Sequence, residues 1–135
     1  MFTGIVEEVG VVVSTIFNGA SGSYTLRIQT RKLLQNHAAK LGDSVAVNGV
    51  CLTITNIAEG KDGVVYFDVD FTPETARRTK LKDLKVRDEV NLEKSITGAT
   101  SMGGHFVQGH VDGTGTIARL VMTDTYRSCV CLMID

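Results

Sequence analysis

The chain has 135 residues, of which 43% are hydrophobic and 21% are charged, and its formal net charge is -1; this composition is typical of a soluble globular domain, and the weak charge argues against nucleic acid or an anionic membrane as a partner. No apolar run reaches the roughly 20 residues of a membrane helix, and the first residues lack the basic and long apolar regions of a signal peptide. Three cysteines without a disulfide-like spacing predict a reducing compartment, and hence a cytoplasmic protein.

The first half of the chain predicts strands interrupted by one short helix. Residues 5–14 are rich in valine, and Gly10 within them is typical of a bend or bulge in a curved strand. Apolar and polar residues alternate over 24–28, which is the pattern of a half-buried strand. The helical spacing of Leu33, Leu34, His37 and Ala38 predicts a short helix over 31–40, and residues 45–57 predict one long strand.

The second half of the predicted domain adds strands around a well-marked helix start. Residues 64–70 predict one strand and residues 90–93 predict the last strand of the set. Between them, Thr72 can cap a helix and Pro73 suits its first position, so we expect a short helix to about Thr79. The predicted elements are short strands and two small helices, without the alternation of strands and helices that βαβ units require. This pattern predicts an all-β protein that forms a closed six-stranded antiparallel barrel.

The start of the chain recurs near its end. Residues 3–6 and 108–111 share a glycine-centred pattern, and at the same separation Gly10 meets Gly115. With a separation one residue larger, the 24–28 strand meets the alternating residues Val130, Leu132 and Ile134. A drift of one residue across a loop is tolerated, so the pattern predicts an internal duplication.

The duplication divides the chain into two parts. Residues 1–97 are expected to form a complete barrel, and residues 98–135 a linker followed by the first two strands of a second, incomplete copy. Two strands alone leave unpaired backbone groups and apolar faces. We therefore expect this second part to pack on the first barrel, to pair with another molecule, or to be disordered.

Three segments carry residue types that suit a ligand site. A glycine in residues 4–6 would let the backbone approach a flat ligand closely. Cys51 and Thr53 share one face of a predicted strand, and residues 72–75 offer hydroxyls and helix N-terminal N–H groups. Together these groups suit a planar heterocycle with polar edges and a polyhydroxyl tail.

The remaining histidines and cysteines predict no metal site and no disulfide. His105 and His110 are five positions apart, so a strand would point them to opposite faces. His37 lies on the predicted helix and is expected to be a structural or surface residue. Cys129 and Cys131 would share one face of a strand as two small apolar side chains.

At these segments the sequence resembles the alpha-type riboflavin synthases of the lumazine-binding barrel family. The resemblance rests on five stretches in the family's order, residues 1–6, 42–53, 73–75, 90–93 and 103–111. It implies two similar six-stranded Greek-key barrels and a C-terminal helix that holds a homotrimer. It also implies dismutation of two molecules of 6,7-dimethyl-8-ribityllumazine to riboflavin and 5-amino-6-ribitylamino-pyrimidinedione, without a metal or organic cofactor, between barrels of neighbouring subunits.

The resemblance also implies the site residues. His110 would be catalytic, assisting proton transfer at the acidic 7-methyl group, a task for a group that titrates near neutrality; Cys51 would be at most a secondary participant. The residues expected to contact the substrate are Gly4, Ile5, Val6, Ser44, Cys51, Leu52, Thr53, Asp70, Phe71, Thr72, Pro73, Glu74, Thr75, Gly109, His110 and Val111.

The sequence departs from the family pattern because the second copy stops at Asp135. We therefore expect the chain to bind lumazine or riboflavin but to turn over poorly, and a homodimer is possible in place of the family trimer. The alternative is a non-catalytic lumazine- or flavin-binding fluorescent protein. An oligonucleotide-binding barrel is disfavoured, because 6% aromatic residues and no tryptophan give few stacking platforms.

Overall fold

The computed structural model describes residues 1–34, 39–122 and 127–133. Six strands form the main sheet, and they are β1 (Glu8–Asn18), β2 (Ser23–Thr30), β3 (Ser44–Val47), β4 (Val50–Glu59), β5 (Val65–Phe71) and β6 (Glu89–Lys94). They close into a barrel in the order β1-β2-β5-β4-β3-β6, with β6 pairing back to β1, and every neighbouring pair is antiparallel. The predicted closed antiparallel barrel is therefore confirmed.

The barrel core follows from the alternation along each strand. Leu26 and Ile28 of β2 and Phe67 and Val69 of β5 point inward and are almost fully buried, while the residues between them face outward. Burying each such side chain contributes about 1.5–3 kcal/mol.

No helix among the described residues is long and apolar enough to cross a membrane.

One predicted strand is wrong, because residues 45–57 form a hairpin of β3 and β4. The turn is Asn48-Gly49, and both residues have positive φ, 49° and 82°. Two central residues with positive φ are what a two-residue type I′ hairpin turn requires, and Asn-Gly is its preferred sequence. The split supplies the barrel's sixth strand.

The first strand begins later than predicted. Residues 1–7, called here the N-terminal segment, run along the outside of the barrel, and β1 begins at Glu8. Gly10 lies within β1 without a bulge and pairs regularly with Val90 of β6. Its position requires glycine because an added Cβ would lie 2.5 Å from Leu92 Cδ1. The irregularity in the β1–β2 pairing falls instead between Val12 and Ser14.

The helix predicted over 31–40 is not formed by the described part of that stretch. Residues 31–34 form bends and turns, and the Glu8 carboxylate accepts hydrogen bonds from the N–H groups of Arg31, Lys32 and Leu33 at 2.7, 3.0 and 2.7 Å. Burial works to raise the pKa of Glu8, but these bonds and one from the Thr30 hydroxyl outweigh it and lower the pKa. His37 lies outside the described residues.

The helix after β5 is confirmed. It is α1 (Pro73–Arg78), with Pro73 in its first turn. The hydroxyl of Thr72 accepts a hydrogen bond from the Thr75 N–H at 3.2 Å, which satisfies one of the free donors at the helix start. A short 3-10 turn (Leu81–Asp83) follows.

Beyond the barrel, β7 (Gly115–Met122) and β8 (Arg127–Met133) form a separate antiparallel hairpin. Its pairing shifts between Ile117 and Arg119, at the positions equivalent to Val12 and Ser14 in β1. This similarity favours a duplication, while the assignment of residues 98–135 to a second barrel stays a prediction.

The structure corrects the alignment of the second strand of the proposed repeat. Val12 pairs with Ile28, and its equivalent Ile117 pairs with Cys131. Cys131 rather than Ile134 therefore corresponds to Ile28, because Ile117 and Cys131 are 14 positions apart in the sequence whereas Val12 and Ile28 are 16 apart. The side chains of Cys129 and Cys131 lie outside the described part of the chain.

Candidate functional site

A cleft of about 350 Å³ lies where the start of β4, α1 and residues 109–112 meet. We call it the α1 cleft, and its lining residues are Val50, Cys51, Glu74, Thr75, Arg78, Thr79, Gly109, His110, Val111 and Asp112. Its size is within the roughly 300–1,000 Å³ of small-molecule sites. Six of the predicted site residues, from three distant segments of the sequence, line it together.

Residues 109–111 are held against β4 by a backbone hydrogen bond. The Cys51 N–H donates to the Gly109 carbonyl at 2.8 Å. Gly109 has φ of 75° and is buried, and an added Cβ would lie 3.0 Å from both Cβ and N of Cys51. Only glycine permits this approach without strain, so Gly109 brings the exposed His110 to the edge of the cleft.

Charged side chains of α1 form one wall of the cleft. Glu74 accepts hydrogen bonds from Arg77 at 2.9 and 2.8 Å and from Arg78 at 2.5 Å. The bonds from Arg77 and then Arg78 lower the pKa of Glu74 to about 2. Glu74 is therefore an ionised acceptor at neutral pH and has no proton to donate. Arg78 also donates to the Asp112 carbonyl at 3.3 Å, which links α1 to the segment after His110.

Beside the cleft, a row of polar side chains crosses four strands on the outside of the barrel. Ser44 pairs with Thr53, Thr53 with Asp70, and Asp70 with Thr25; we call these four residues the polar row. The Thr25 hydroxyl donates to Asp70 at 2.6 Å. Thr53 lies two positions after Cys51 on the same face of β4, about 7 Å along the strand, so the row adjoins the cleft.

Two predicted contact residues have side chains in the barrel core. Leu52 and Phe71 are buried there, and Phe71 stacks on Tyr24 with ring centroids 5.0 Å apart. Only their backbone groups can reach a ligand outside the barrel. Thr72 caps α1, and Pro73 lines a different cleft, which it shares with Tyr24.

The predicted contacts of the N-terminal segment do not line the α1 cleft. Gly4 and Val6 line a groove beside the Asn48-Gly49 turn, and Ile5 lines another hollow. Gly4 has φ of 82°, so its backbone conformation is one that side-chain-bearing residues rarely adopt. Apart from Leu52, Phe71, Thr72 and Pro73, the predicted contact residues are thus divided among the α1 cleft, the polar row and the N-terminal segment.

Sequence reasoning missed four residues of the cleft, which are Val50, Arg78, Thr79 and Asp112, and it missed Thr25 of the polar row. The four cleft residues lie close in the sequence to predicted site residues, but nothing in the pattern shows that α1 and residues 109–112 meet. Thr25 was recognisable only as an outward position of β2. Among the described residues, no three His, Cys, Asp or Glu side chains come together as a metal site.

Comparisons with known proteins agree with this architecture. The lumazine binding domain family model matches residues 3–95. The riboflavin synthase of Bacillus subtilis (strain 168) is 44% identical over 120 residues, which are 89% of this chain and 52% of that protein. The chain therefore spans about half the length of the riboflavin synthase it matches.

Two solved structures are similar over most of the chain. LumP complexed with 6,7-dimethyl-8-(1'-D-ribityl) lumazine has a TM-score of 0.74 and 25% identity, covering 96% of this chain and 67% of that one. LumP complexed with riboflavin has a TM-score of 0.72 and 26% identity, covering 92% of this chain and 62% of that one. With a family match over most of its barrel, the chain belongs to the lumazine-binding domain family.

Proposed function

We propose that this chain binds 6,7-dimethyl-8-ribityllumazine and riboflavin on the outside of its barrel, at the α1 cleft and the adjoining polar row. The observation that carries the proposal is the convergence of Cys51, Thr75 and residues 109–111 on one cleft. The relatives are riboflavin synthases and the similar solved structures hold these two ligands. The site residues themselves remain part of the proposal.

The chemistry of the two surfaces matches the two parts of such a ligand. The mixed apolar and polar lining around Val50, Cys51 and Val111 suits a flat ring with hydrogen-bonding edges. The hydroxyls of Ser44 and Thr53 and the carboxylate of Asp70 suit a polyhydroxyl ribityl chain, because each offers a hydrogen-bond acceptor and the hydroxyls also donate. No metal or organic cofactor is needed for either contact.

For the whole protein we propose the dismutation catalysed by riboflavin synthases, a transferase reaction. A four-carbon unit leaves one lumazine and joins the other, so the products are riboflavin and 5-amino-6-ribitylamino-pyrimidinedione. His110 is the proposed proton carrier, since it lies at the cleft and is exposed, and Cys51 is a secondary participant. Holding two substrates together supplies much of the rate by proximity.

The reaction needs two ligand sites that face each other, and the described cleft supplies one. We therefore propose that the 135-residue chain assayed alone binds ligand but turns over slowly. We propose that a homo-oligomer brings two such clefts together, a trimer for the full-length family protein and a dimer for this chain. Sedimentation velocity at several protein concentrations, with and without riboflavin, measures the oligomeric state.

The second candidate function is that of a fluorescent protein that binds lumazine or flavin without catalysis. It is favoured by the likeness to LumP, whose similar structures contain bound lumazine and riboflavin. The two functions make different predictions about His110, because passive binding needs no proton carrier.

A paired assay distinguishes these functions. Fluorescence titration of the purified chain with lumazine and riboflavin measures binding, and riboflavin formation from lumazine measures turnover. We expect saturable binding of both ligands, slow turnover, and loss of that turnover in His110→Gln while its binding is weakened no more than severalfold. Absence of binding contradicts the proposed function, turnover unchanged in His110→Gln favours the passive binder, and rapid turnover contradicts the proposed need for a second half.

A further inference from the structure

We propose that Glu93 is a positioning residue for the ligand site, because its buried carboxylate fixes the N-terminal segment and, through it, the segment that carries His110. This inference rests on the proposed function for its ligand readout. Glu93 lies outside the α1 cleft, so its effect on the cleft must pass through other residues.

Glu93 occupies an unusual position for a carboxylate. It lies on β6 between the inward-facing Leu92 and the strand end, so its side chain points to the outside of the barrel. Yet it is only 7% exposed, because the N-terminal segment covers it. None of the ion pairs among the described side chains involves Glu93, so the charge is met by hydrogen-bond donors.

All of these donors belong to the N-terminal segment. One carboxylate oxygen accepts from the N–H and the hydroxyl of Thr3 at 2.5 and 2.8 Å, and the other accepts from the Gly4 N–H at 3.1 Å. Hydrogen bonds to an ionised acceptor are about twice as strong as neutral ones. The Thr3 hydroxyl in turn accepts from the Ile5 N–H at 3.1 Å, so one carboxylate sets the backbone of three successive residues.

The segment fixed in this way holds the linker that follows the barrel. The Thr3 carbonyl accepts from the His105 N–H at 2.9 Å, and Phe2 and Val107 exchange two backbone hydrogen bonds at 2.8 and 3.0 Å. Gly104 is pressed against Thr3 so closely that an added Cβ would lie 2.2 Å from the Thr3 carbonyl oxygen. The linker therefore has one defined path along the N-terminal segment.

The path ends at the α1 cleft. Two residues after Val107, the Gly109 carbonyl accepts from Cys51, and His110 follows at the edge of the cleft. A chain of contacts thus runs from Glu93 through Thr3 and the linker to His110. If Glu93 only stabilised the barrel as a whole, its removal would loosen the linker and the barrel strands to the same extent.

The test compares four variants, with a control on the same strand. Glu93→Ala removes the acceptor, and Thr3→Val removes the hydroxyl while keeping the shape, which covers the case in which Glu93→Ala fails to fold. Thr3→Ser restores the hydroxyl. Glu93→Gln keeps one acceptor oxygen, and Glu89→Ala alters an exposed carboxylate of β6.

Two readouts are used, amide hydrogen exchange by NMR and the riboflavin dissociation constant by fluorescence. In Glu93→Ala and Thr3→Val we expect exchange at His105 and Val107 to accelerate at least about tenfold and riboflavin affinity to fall about tenfold, the scale of a lost buried hydrogen bond. The exchange rates and the riboflavin affinity of Glu93→Gln are expected to lie between those of these two variants and those of the parent chain. Exchange at Ile28 and Val69 stays unchanged, and Thr3→Ser and Glu89→Ala resemble the parent chain.

Unchanged exchange at His105 and Val107 in both Glu93→Ala and Thr3→Val overturns the inference. Equal acceleration at Ile28 and Val69 also overturns it, because Glu93 would then be a support of the whole barrel. If the parent chain binds neither riboflavin nor lumazine, the proposed function fails, while the exchange readout still decides the role of Glu93.

Discussion

Two segments with the same glycine-centred pattern, residues 3–6 and 108–111, lie against the outside of one barrel but are held there differently. Gly4 and Gly109 both have positive φ, 82° and 75°. Gly4 donates its N–H to a side chain, that of Glu93. Gly109 instead accepts through its carbonyl from the backbone of Cys51.

Gly4 and Gly109 are required to be glycine for different reasons. An added Cβ on Gly4 would lie 3.6 Å from Val107, an ordinary contact, whereas on Gly109 it would lie 3.0 Å from the Cys51 backbone. Gly4 is therefore required by its φ alone, and Gly109 by φ and by close approach. The residues just before the two segments, Phe2 and Val107, are equivalent in the repeat and pair with each other through reciprocal hydrogen bonds.

The largest expected effect tests this pairing. Phe2 is 1% exposed and Val107 is 39% exposed, so the two partners contribute unequally. Phe2→Ala is expected to lower the free energy of unfolding by about 3 kcal/mol or more, the usual cost of removing a buried aromatic ring. Val107→Ala is expected to cost less than about 1 kcal/mol. Urea denaturation measures both, and equal losses would contradict the asymmetry.

The next effect tests the two glycines. Positive φ costs a side-chain-bearing residue about 1–2 kcal/mol, so both Gly4→Ala and Gly109→Ala are strained. Only Gly109→Ala adds a clash with β4, and we expect its riboflavin affinity to fall more than about tenfold, which corresponds to 1.4 kcal/mol. Fluorescence titration measures it. A greater loss of riboflavin affinity in Gly4→Ala than in Gly109→Ala would contradict the proposed difference between the two glycines.

A smaller effect concerns the residues that follow the glycines, Ile5 and His110. Both are exposed, so neither alanine variant is expected to change the free energy of unfolding by more than about 0.5 kcal/mol. His110→Ala is expected to weaken riboflavin binding severalfold because His110 lines the α1 cleft. Ile5→Ala, which lies outside that cleft, is the matched control. Equal losses of riboflavin affinity in His110→Ala and Ile5→Ala would show that the α1 cleft is not the preferred binding site.

The smallest effect concerns the α1 wall of the cleft, which Arg78 links to Asp112, the residue that follows 108–111. Arg77 and Arg78 lower the pKa of Glu74 from 4.5 to about 2. A lowered pKa in the folded state means that the contribution to stability is present above about pH 4.5 and is lost as the pH falls through about 2. NMR titration of the carboxyl carbon should show this midpoint, and Arg77→Ala should raise it. A midpoint near 4.5 in the parent chain would contradict the observed contacts.

The fold was largely predictable because its strands and its helix start carry local signals. Thr72 and Pro73 predict α1 from capping alone, and the alternation over 24–28 predicts β2. The Asn48-Gly49 turn was also present as a local signal and was overlooked, since the apolar residues on both sides of it predict one long strand. The late start of β1 was not predictable, because residues 3 and 4 are hydrogen-bonded to Glu93, which is far away in the sequence.

The candidate site was predictable as a set of segments but not as a geometry. Residue types mark Cys51, Thr53 and Thr75 as suitable for a polar ring ligand. No local pattern shows that residues 109–111 dock on β4, because that contact joins backbone groups and not side chains. The burial of Leu52 and Phe71 likewise follows from barrel closure, which fixes which face of each strand points inward.

The central claim is that lumazine binds at the α1 cleft, and NMR chemical-shift mapping of the 135-residue chain tests it most directly. On titration with 6,7-dimethyl-8-ribityllumazine, we predict the largest amide shifts at Cys51, Thr75 and Gly109, with smaller shifts at Thr53. Shifts confined to the separate cleft beside Phe17 and Tyr24, with Cys51 and Gly109 unchanged, would contradict the account.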